Sequence, residues 1–197
     1  MKTRRIDAPN GEIAVPESDG RGPPVVLIHG NSLSSRAFSR QLGGPLGRRL
    51  RLVEVDSPGH GESDDAKDPG AYSLPGRARA VRRAVDALGL GEACFVGWSL
   101  GGHVALEMAP DLDNAHGIVI FGAPPIASGE SLQKAFLPNP AMQFTFQESL
   151  DRAEVSAYVA AFFRPGFAEI PPTFLEDVMR TDGRARGALG ASVGAGP

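Results

Sequence analysis

The sequence predicts an α/β fold, a mostly parallel sheet flanked by helices, with a helical segment at its C-terminal end. Three observations predict it. Short apolar runs at 25–28 ("VVLI"), 93–98 ("ACFVGW") and 117–122 ("GIVIFG") lack polar alternation, which reads as strands buried on both faces. Helical patterns separate these runs, so the middle of the chain alternates strand and helix, the signature of a parallel sheet with right-handed crossovers. After "APP" at 123–125 the rhythm changes to helices and loops.

Each element follows from local chemistry. "TRRI" and "EIAV" are short strands on either side of "DAPNG", where Asn10-Gly11 is a hairpin-turn signal. "SDGRGPP" is a loop, and "VVLIHG" a strand bounded by Pro-Pro and Gly. A helix is expected over about Arg36 to Leu42, then a strand over Leu52 to Val55 and a turn-rich loop, "DSPGHGES". The clearest helix spans Tyr72 to Leu88, where Leu74, Ala78, Val81, Val85 and Leu88 recur every three or four residues. Ser73 suits its N-cap, Pro75 its first turn, and Gly89 its end. Leu100 to Met108 is the next helix. Beyond "APP", Asp151 with Glu154 marks a capped helix carrying Val155, Tyr158, Val159, Phe162 and Phe163, ended by Arg164-Pro165-Gly166. Thr173 and Glu176 frame a shorter one with Phe174, Leu175, Val178 and Met179; the tail "GALGASVGAGP" has no strand run.

Charge excludes some functions. With 20 basic and 23 acidic side chains the chain has no overall field to hold nucleic acid or an anionic membrane. Arg77, Arg79, Arg82 and Arg83 read as the wet face of a helix. A single cysteine, Cys94, allows no intrachain disulfide, so a reducing, cytoplasmic setting is expected, with Cys94 as a small core residue. The basic start lacks an apolar h-region, no run reaches the ~18 apolar residues of a membrane span, and no Cys/His cluster implies a metal or organic cofactor.

The chemistry centres on Ser99. Gly97-Trp98-Ser99-Leu100-Gly101 fits G-x-S-x-G between an apolar strand and a helix. Such a turn is so sharp that the serine takes a strained backbone, and the flanking glycines are small for steric reasons. The hydroxyl then stands at the carboxyl end of the sheet, on the positive end of the next helix. A tetrahedral oxyanion needs two preorganised donors. The Leu100 N–H is one candidate, because it follows the serine. The Asn31 N–H in "HGNSLSS", directly after "VVLI", is the other.

"VVLIHGNS", "VDSPGHGES" and "VGWSLGGHVALE" occur in the order and spacing of the α/β-hydrolase superfamily. They resemble its oxyanion loop, its P-G-H-G turn and its nucleophile elbow, over residues 3 to about 124. The resemblance implies a partial α/β-hydrolase fold: residues 1–124 as the core through the sixth strand, and 125–197 as a helical cap or lid and tail. It implies a serine hydrolase acting on a small carboxylic ester or related acyl compound, with Ser99 as nucleophile, Asn31 and Leu100 as the oxyanion hole, Gly97, Trp98 and Gly101 as the elbow, and no cofactor. Esterases, thioesterases, lactonases, perhydrolases and carbon–carbon bond hydrolases share these motifs. A serine here separates the chain from the branches with an aspartate nucleophile.

In that family the triad acid and histidine follow the seventh and eighth strands. No strand-type run follows Phe121, and only His116 of the four histidines lies beyond the elbow helix. The acid and base are therefore expected outside this chain. Three explanations stand: a fragment of a longer reading frame, one half of a split or strand-exchanged assembly, or a non-catalytic binding relative. The run at 117–122 would present an unpaired apolar edge, open to self-association or to a missing C-terminal half.

Overall fold

The computed structural model describes residues 2–124, 134–135, 139–167 and 169–194. The first part of the expected helical segment, residues 125–133 and 136–138, lies outside the described residues. The strands are β1 (Lys2–Ala8), β2 (Gly11–Glu17), β3 (Pro24–Ile28), β4 (Arg51–Val55), β5 (Cys94–Trp98) and β6 (Gly117–Phe121). They form one sheet in the order β1-β2-β4-β3-β5-β6. β4, β3, β5 and β6 run parallel, while β1 and β2 form an antiparallel hairpin. Ala8 pairs with Gly11, so the two-residue loop is Pro9-Asn10. Gly11, expected in the turn, instead opens β2, at φ 139°.

The helices before the change of rhythm are α1 (Ser39–Gly43), α2 (Pro45–Arg49), α3 (Leu74–Leu88) and α4 (Leu100–Met108). They cover both faces of the sheet, which is why β3 needs apolar residues at every position. Val26 and Ile28 face a core shared with Val81, Val85, Val104 and Phe95, whereas Leu27 faces Phe38, Leu42 and Leu52. The helix expected over Arg36 to Leu42 is a 3-10 turn, Ser35–Phe38, running into α1. α3 starts two residues later than expected: the Ser73 side chain accepts from the Gly76 N–H at 3.1 Å, and Gly89 ends the helix in the left-handed region at φ 63°.

Three expectations change. Arg77 is 1% exposed rather than on a wet face. Its guanidinium donates to the Tyr72 carbonyl at 2.9 Å, just ahead of the helix, and to the Ala185 carbonyl at 3.2 Å, brought from 108 residues away. Burial pushes it down to about 10. Cys94 is half-buried rather than a core residue. β6 is the edge strand among the described residues, so it is not buried on both faces: Val119 and Phe121 are 52% and 45% exposed.

The later helices are α5 (Arg152–Ala160), α6 (Pro172–Arg180) and α7 (Gly183–Gly194), preceded by a 3-10 turn at Pro140–Phe146. Asp151 and Glu154 close a reciprocal capping box, each side chain accepting the other's backbone N–H at 2.8 Å. α5 ends at Ala160, before Arg164, and Pro171 rather than Thr173 flanks α6. α7 was not expected from the small-residue tail. Val155, Tyr158, Val159 and Val178 form a core with Phe144, Phe162, Phe163 and Phe174. The aromatic residues of this segment thus pack on one another. No helix among the described residues is long and apolar enough to cross a membrane.

Candidate active site

The β5–α4 junction is a strained turn. Ser99 has φ 53° and ψ −120°, a conformation that costs a β-substituted residue about 1–3 kcal/mol and persists only where the surroundings enforce it. The enforcement is visible. The Ser99 N–H donates to the Phe121 carbonyl at 2.9 Å, and the Ser99 carbonyl accepts from Gly102 N–H at 2.9 Å. A Cβ on Gly97 would stand 2.3 Å from the Gly101 carbonyl oxygen, and one on Gly101 only 2.1 Å from that of Ile28. Both glycines are therefore steric requirements of the turn. Gly102 is a third, since its Cβ would meet that of Ala123 at 2.6 Å; the motif alone does not reveal it. Trp98 lies beside the turn with its ring parallel to that of Phe121.

Strand register brings the second loop to the serine. Ile28 pairs with Gly97, so the residues leaving β3 run alongside Trp98 and Ser99. A Cβ on Gly30 would lie 3.4 Å from that of Ser99. The Gly30-Asn31 backbone is thus a neighbour of the hydroxyl-bearing carbon. Leu100 is the first residue of α4, where a backbone N–H has no intrahelical acceptor. Among the described residues, the Asn31 N–H has no backbone acceptor either. Ser32, next along the loop, is the other non-glycine residue with positive φ among the described residues, at 58°.

Buried polar groups hold this loop. The His29 Nε2 accepts from the Ser57 N–H at 3.0 Å, so its Nδ1 carries the proton toward the Gly30 carbonyl at 2.7 Å. Burial lowers His29 to about 4, and the ring stays neutral. The His60 Nδ1 faces the Pro58 carbonyl at 2.8 Å, with the two rings 5.2 Å apart; burial lowers it as well. Asp56 accepts from the Ser35 and Glu62 N–H groups at 2.7 and 2.9 Å, which explains the tight P-G-H-G turn: a Cβ on Gly61 would reach 2.3 Å from its Oδ2. His103 lies on α4, half-buried, and His116 sits exposed at the amino end of β6, bonded to the Glu92 carbonyl. None of the four histidine rings is bonded to the Ser99 hydroxyl; His103 meets Ser99 only through its backbone N–H, which donates to the Ser99 carbonyl at 3.4 Å.

The helical segment reaches the same loop. The Asn31 Nδ2 donates to the Thr145 carbonyl at 3.1 Å and to the Tyr158 hydroxyl at 3.4 Å. Asp177 accepts from the Ser34 hydroxyl at 2.7 Å and from the Arg36 Nε at 2.8 Å. Sequence reading missed Tyr158 and Asp177 as site neighbours. The available signal was a carboxylate on the apolar side of α6, three residues after Phe174 and next to Val178. Further along, Arg180 bonds Asp65 at 2.9 Å, and the Asp182 N–H donates to the Gly59 carbonyl at 2.9 Å. Among the described residues, no group of three or more His, Cys, Asp or Glu side chains could hold a metal ion.

Comparison with known proteins agrees with this architecture. The sequence model of the "Alpha/beta hydrolase family" matches residues 25–196. The "Pimeloyl-[acyl-carrier protein] methyl ester esterase" of Stenotrophomonas maltophilia strain R551-3 is 38% identical over 133 residues, 65% of this chain and 47% of that protein. Its counterpart from Methylococcus capsulatus is 44% identical over 93 residues, 47% of this chain and 34% of that protein. The chain thus spans less than half the length of these curated relatives. Among solved structures, the N-acyl homoserine lactonase AidH, complexed with N-butanoyl homoserine, is 37% identical with a TM-score of 0.92, covering 99% of this chain and 70% of that one. The esterase RhEst1 from Rhodococcus sp. ECU1013 is 28% identical with a TM-score of 0.78, covering 96% and 72%. A match that runs from the third strand into the last helix leaves one conclusion: this chain belongs to the alpha/beta hydrolase family.

Proposed function

We propose that this chain is the nucleophile-bearing part of a serine hydrolase that cleaves a small carboxylic ester or lactone. One observation carries the reading: the strained backbone of Ser99 between two sterically obligatory glycines, with the Gly30-Asn31 loop as its neighbour. In this reading residues 1–124 are the catalytic core and 125–197 the cap. The Ser99 Oγ attacks the substrate carbonyl carbon while its proton passes to a general base. The carbonyl electron pair moves onto oxygen, where the Asn31 and Leu100 N–H groups hold it; removing such a donor typically costs about 3–4 kcal/mol of transition-state stabilisation. The oxyanion then collapses, the alkoxy group leaves with a proton, and water releases the acyl group from Ser99. In this reading the base is a histidine that these 197 residues do not supply: His29 and His60 are committed to backbone partners, His103 meets Ser99 only through its backbone N–H, and His116 lies at the far end of the sheet. No cofactor enters the scheme, and the half-buried free thiol of Cys94 suits a reducing cytoplasm.

Likeness in the cap supports a substrate class. Likeness to the lactonase AidH extends over 99% of this chain, cap helices included, which supports an N-acyl homoserine lactone as the first substrate to try. In a lactone the leaving alkoxide stays tethered to the acyl product. A linear methyl ester, suggested by the curated relatives, is the comparison substrate.

A second reading rests on β6, whose exposed Val119 and Phe121 favour a binding module or one half of a split hydrolase joined at that edge. Stoichiometric labelling by a fluorophosphonate, absent in Ser99→Ala, tests the first reading. Weak ester turnover does not decide between them, since incomplete triads retain roughly 10³–10⁴-fold catalysis over water. A folded protein that leaves Ser99 unlabelled would remove the claim of an activated serine.

A further inference from the structure

We infer that Asp177, on cap helix α6, is a positioning residue: through Ser34 and Arg36 it holds, from outside the core, the loop that presents the Asn31 amide beside Ser99. The inference rests on the hydrolase reading for its catalytic meaning, but its geometry stands alone. Asp177 is 1% exposed. Its Oδ2 accepts from the Ser34 hydroxyl at 2.7 Å, and its Oδ1 from the Arg36 Nε at 2.8 Å and from the Arg36 Nη2. Ser34 is the N-cap of the 3-10 turn that ends the loop, its Oγ also accepting from the Arg36 N–H at 3.2 Å. The carboxylate therefore grips both the cap residue of that turn and the guanidinium two residues on, at a site removed from solvent where charge-assisted bonds are strong.

The loop needs such a grip. Between Gly30 and Ser34 the chain passes through Ser32 at φ 58°, a conformation that relaxes unless it is enforced. On the core side the loop is held by His29 and by the Ser35 N–H on Asp56. Beyond Ser32, Asp177 is a second side-chain anchor beside Asp56, while the Asn31 side chain is itself tied to the Thr145 carbonyl and the Tyr158 hydroxyl. Losing the carboxylate leaves the buried Ser34 hydroxyl without its acceptor and the Arg36 guanidinium with the exposed Glu176 alone, and lets the Ser32 strain release toward Asn31. A donor displaced by about 1 Å from the oxyanion position forfeits most of its effect on rate while ground-state binding barely changes. Glu176, which also pairs with Arg36 at 2.6 Å, is exposed and bonds the guanidinium alone.

The test compares Asp177→Asn, Ser34→Ala and Asp65→Asn with the wild-type protein. Asp65→Asn breaks a cap–core ion pair, Arg180–Asp65, that has no bond to the 30–35 loop. It therefore reports what general loosening of the cap does. Two readouts are used: amide hydrogen exchange over residues 30–35, and the rate of fluorophosphonate labelling at Ser99. Asp177→Asn and Ser34→Ala are expected to exchange about tenfold faster in that segment and to label about tenfold more slowly, with the loss in kcat rather than KM where turnover is measurable. Asp65→Asn is expected within about twofold on both readouts. Unchanged exchange in both loop variants, or an equal effect from Asp65→Asn, overturns the inference. If the wild-type protein is not labelled, the hydrolase reading fails; exchange alone then decides whether Asp177 holds the loop. Should Asp177→Asn not fold, Ser34→Ala, which removes one hydroxyl, carries the test.

Discussion

Acid should unfold this protein earlier than its carboxylates alone would require, and His29 is the residue to perturb. The ring is 2% exposed. Its Nε2 accepts the Ser57 N–H, so a second ring proton would point at another donor. Burial holds the folded group at about 4, against an ordinary 6.5. The sign follows directly: below about pH 6.5 the unfolded chain takes up a proton that the folded chain refuses. Stability is therefore whole above that pH and is lost as pH falls toward 4. At about 1.4 kcal/mol per pKa unit, the full loss is roughly 3 kcal/mol, and roughly 2 kcal/mol is already gone at about pH 5. His60, fully buried and lowered by the same cause, adds in the same direction. Urea unfolding at about pH 7.5 and about pH 5 measures it. His29→Gln should be less stable than wild type at the higher pH, having lost geometry toward Ser57 and Gly30. Its drop between the two pH values should be smaller by roughly 2 kcal/mol. Parallel pH dependences for the two proteins would refute the assignment of a neutral, buried His29.

Glu54 carries the opposite sign. It is fully buried, both its oxygens lack partners, and burial with Asp56 nearby raises it well above the usual carboxyl range. Its contribution worsens as pH climbs, so Glu54→Met should stabilise by roughly 1–3 kcal/mol, more at about pH 8 than at about pH 5, in thermal melts. Gly101→Ala forces a Cβ to 2.1 Å from the Ile28 carbonyl oxygen. It should cost about 1–3 kcal/mol or more in urea unfolding and abolish Ser99 labelling, with Gly89→Ala, which meets no neighbour within 4 Å, sparing the labelling. Asp151→Ala removes one arm of the α5 capping box, the acceptor of the Glu154 N–H, and should cost about 1 kcal/mol, read as a lowered melting temperature.

The local chemistry of the chain was enough for the strands, for α3 with its Ser73 cap and Gly89 stop, for α4, and for the turn at Ser99. Each rests on interactions within a few residues: apolar periodicity, a capping hydroxyl, a glycine that no larger residue can replace. Other features needed the folded chain. Arg77 carries a charge that reads as solvent-facing, yet it lies three residues after Leu74 and four before Val81 on the inward side of α3, where the Ala185 carbonyl arrives from α7 to accept from it. The small-residue helix α7 has almost no apolar pattern of its own and is defined by what it covers. Asp177 and Ser34 lie 143 residues apart, and nothing in either neighbourhood names the other. Periodicity says which face of a helix is turned inward; it does not say against what. The partners of the loop beside Ser99 were therefore decided by tertiary packing, which alone brings a distant carboxylate within bonding distance of that loop and makes water's exclusion enforce the pairing.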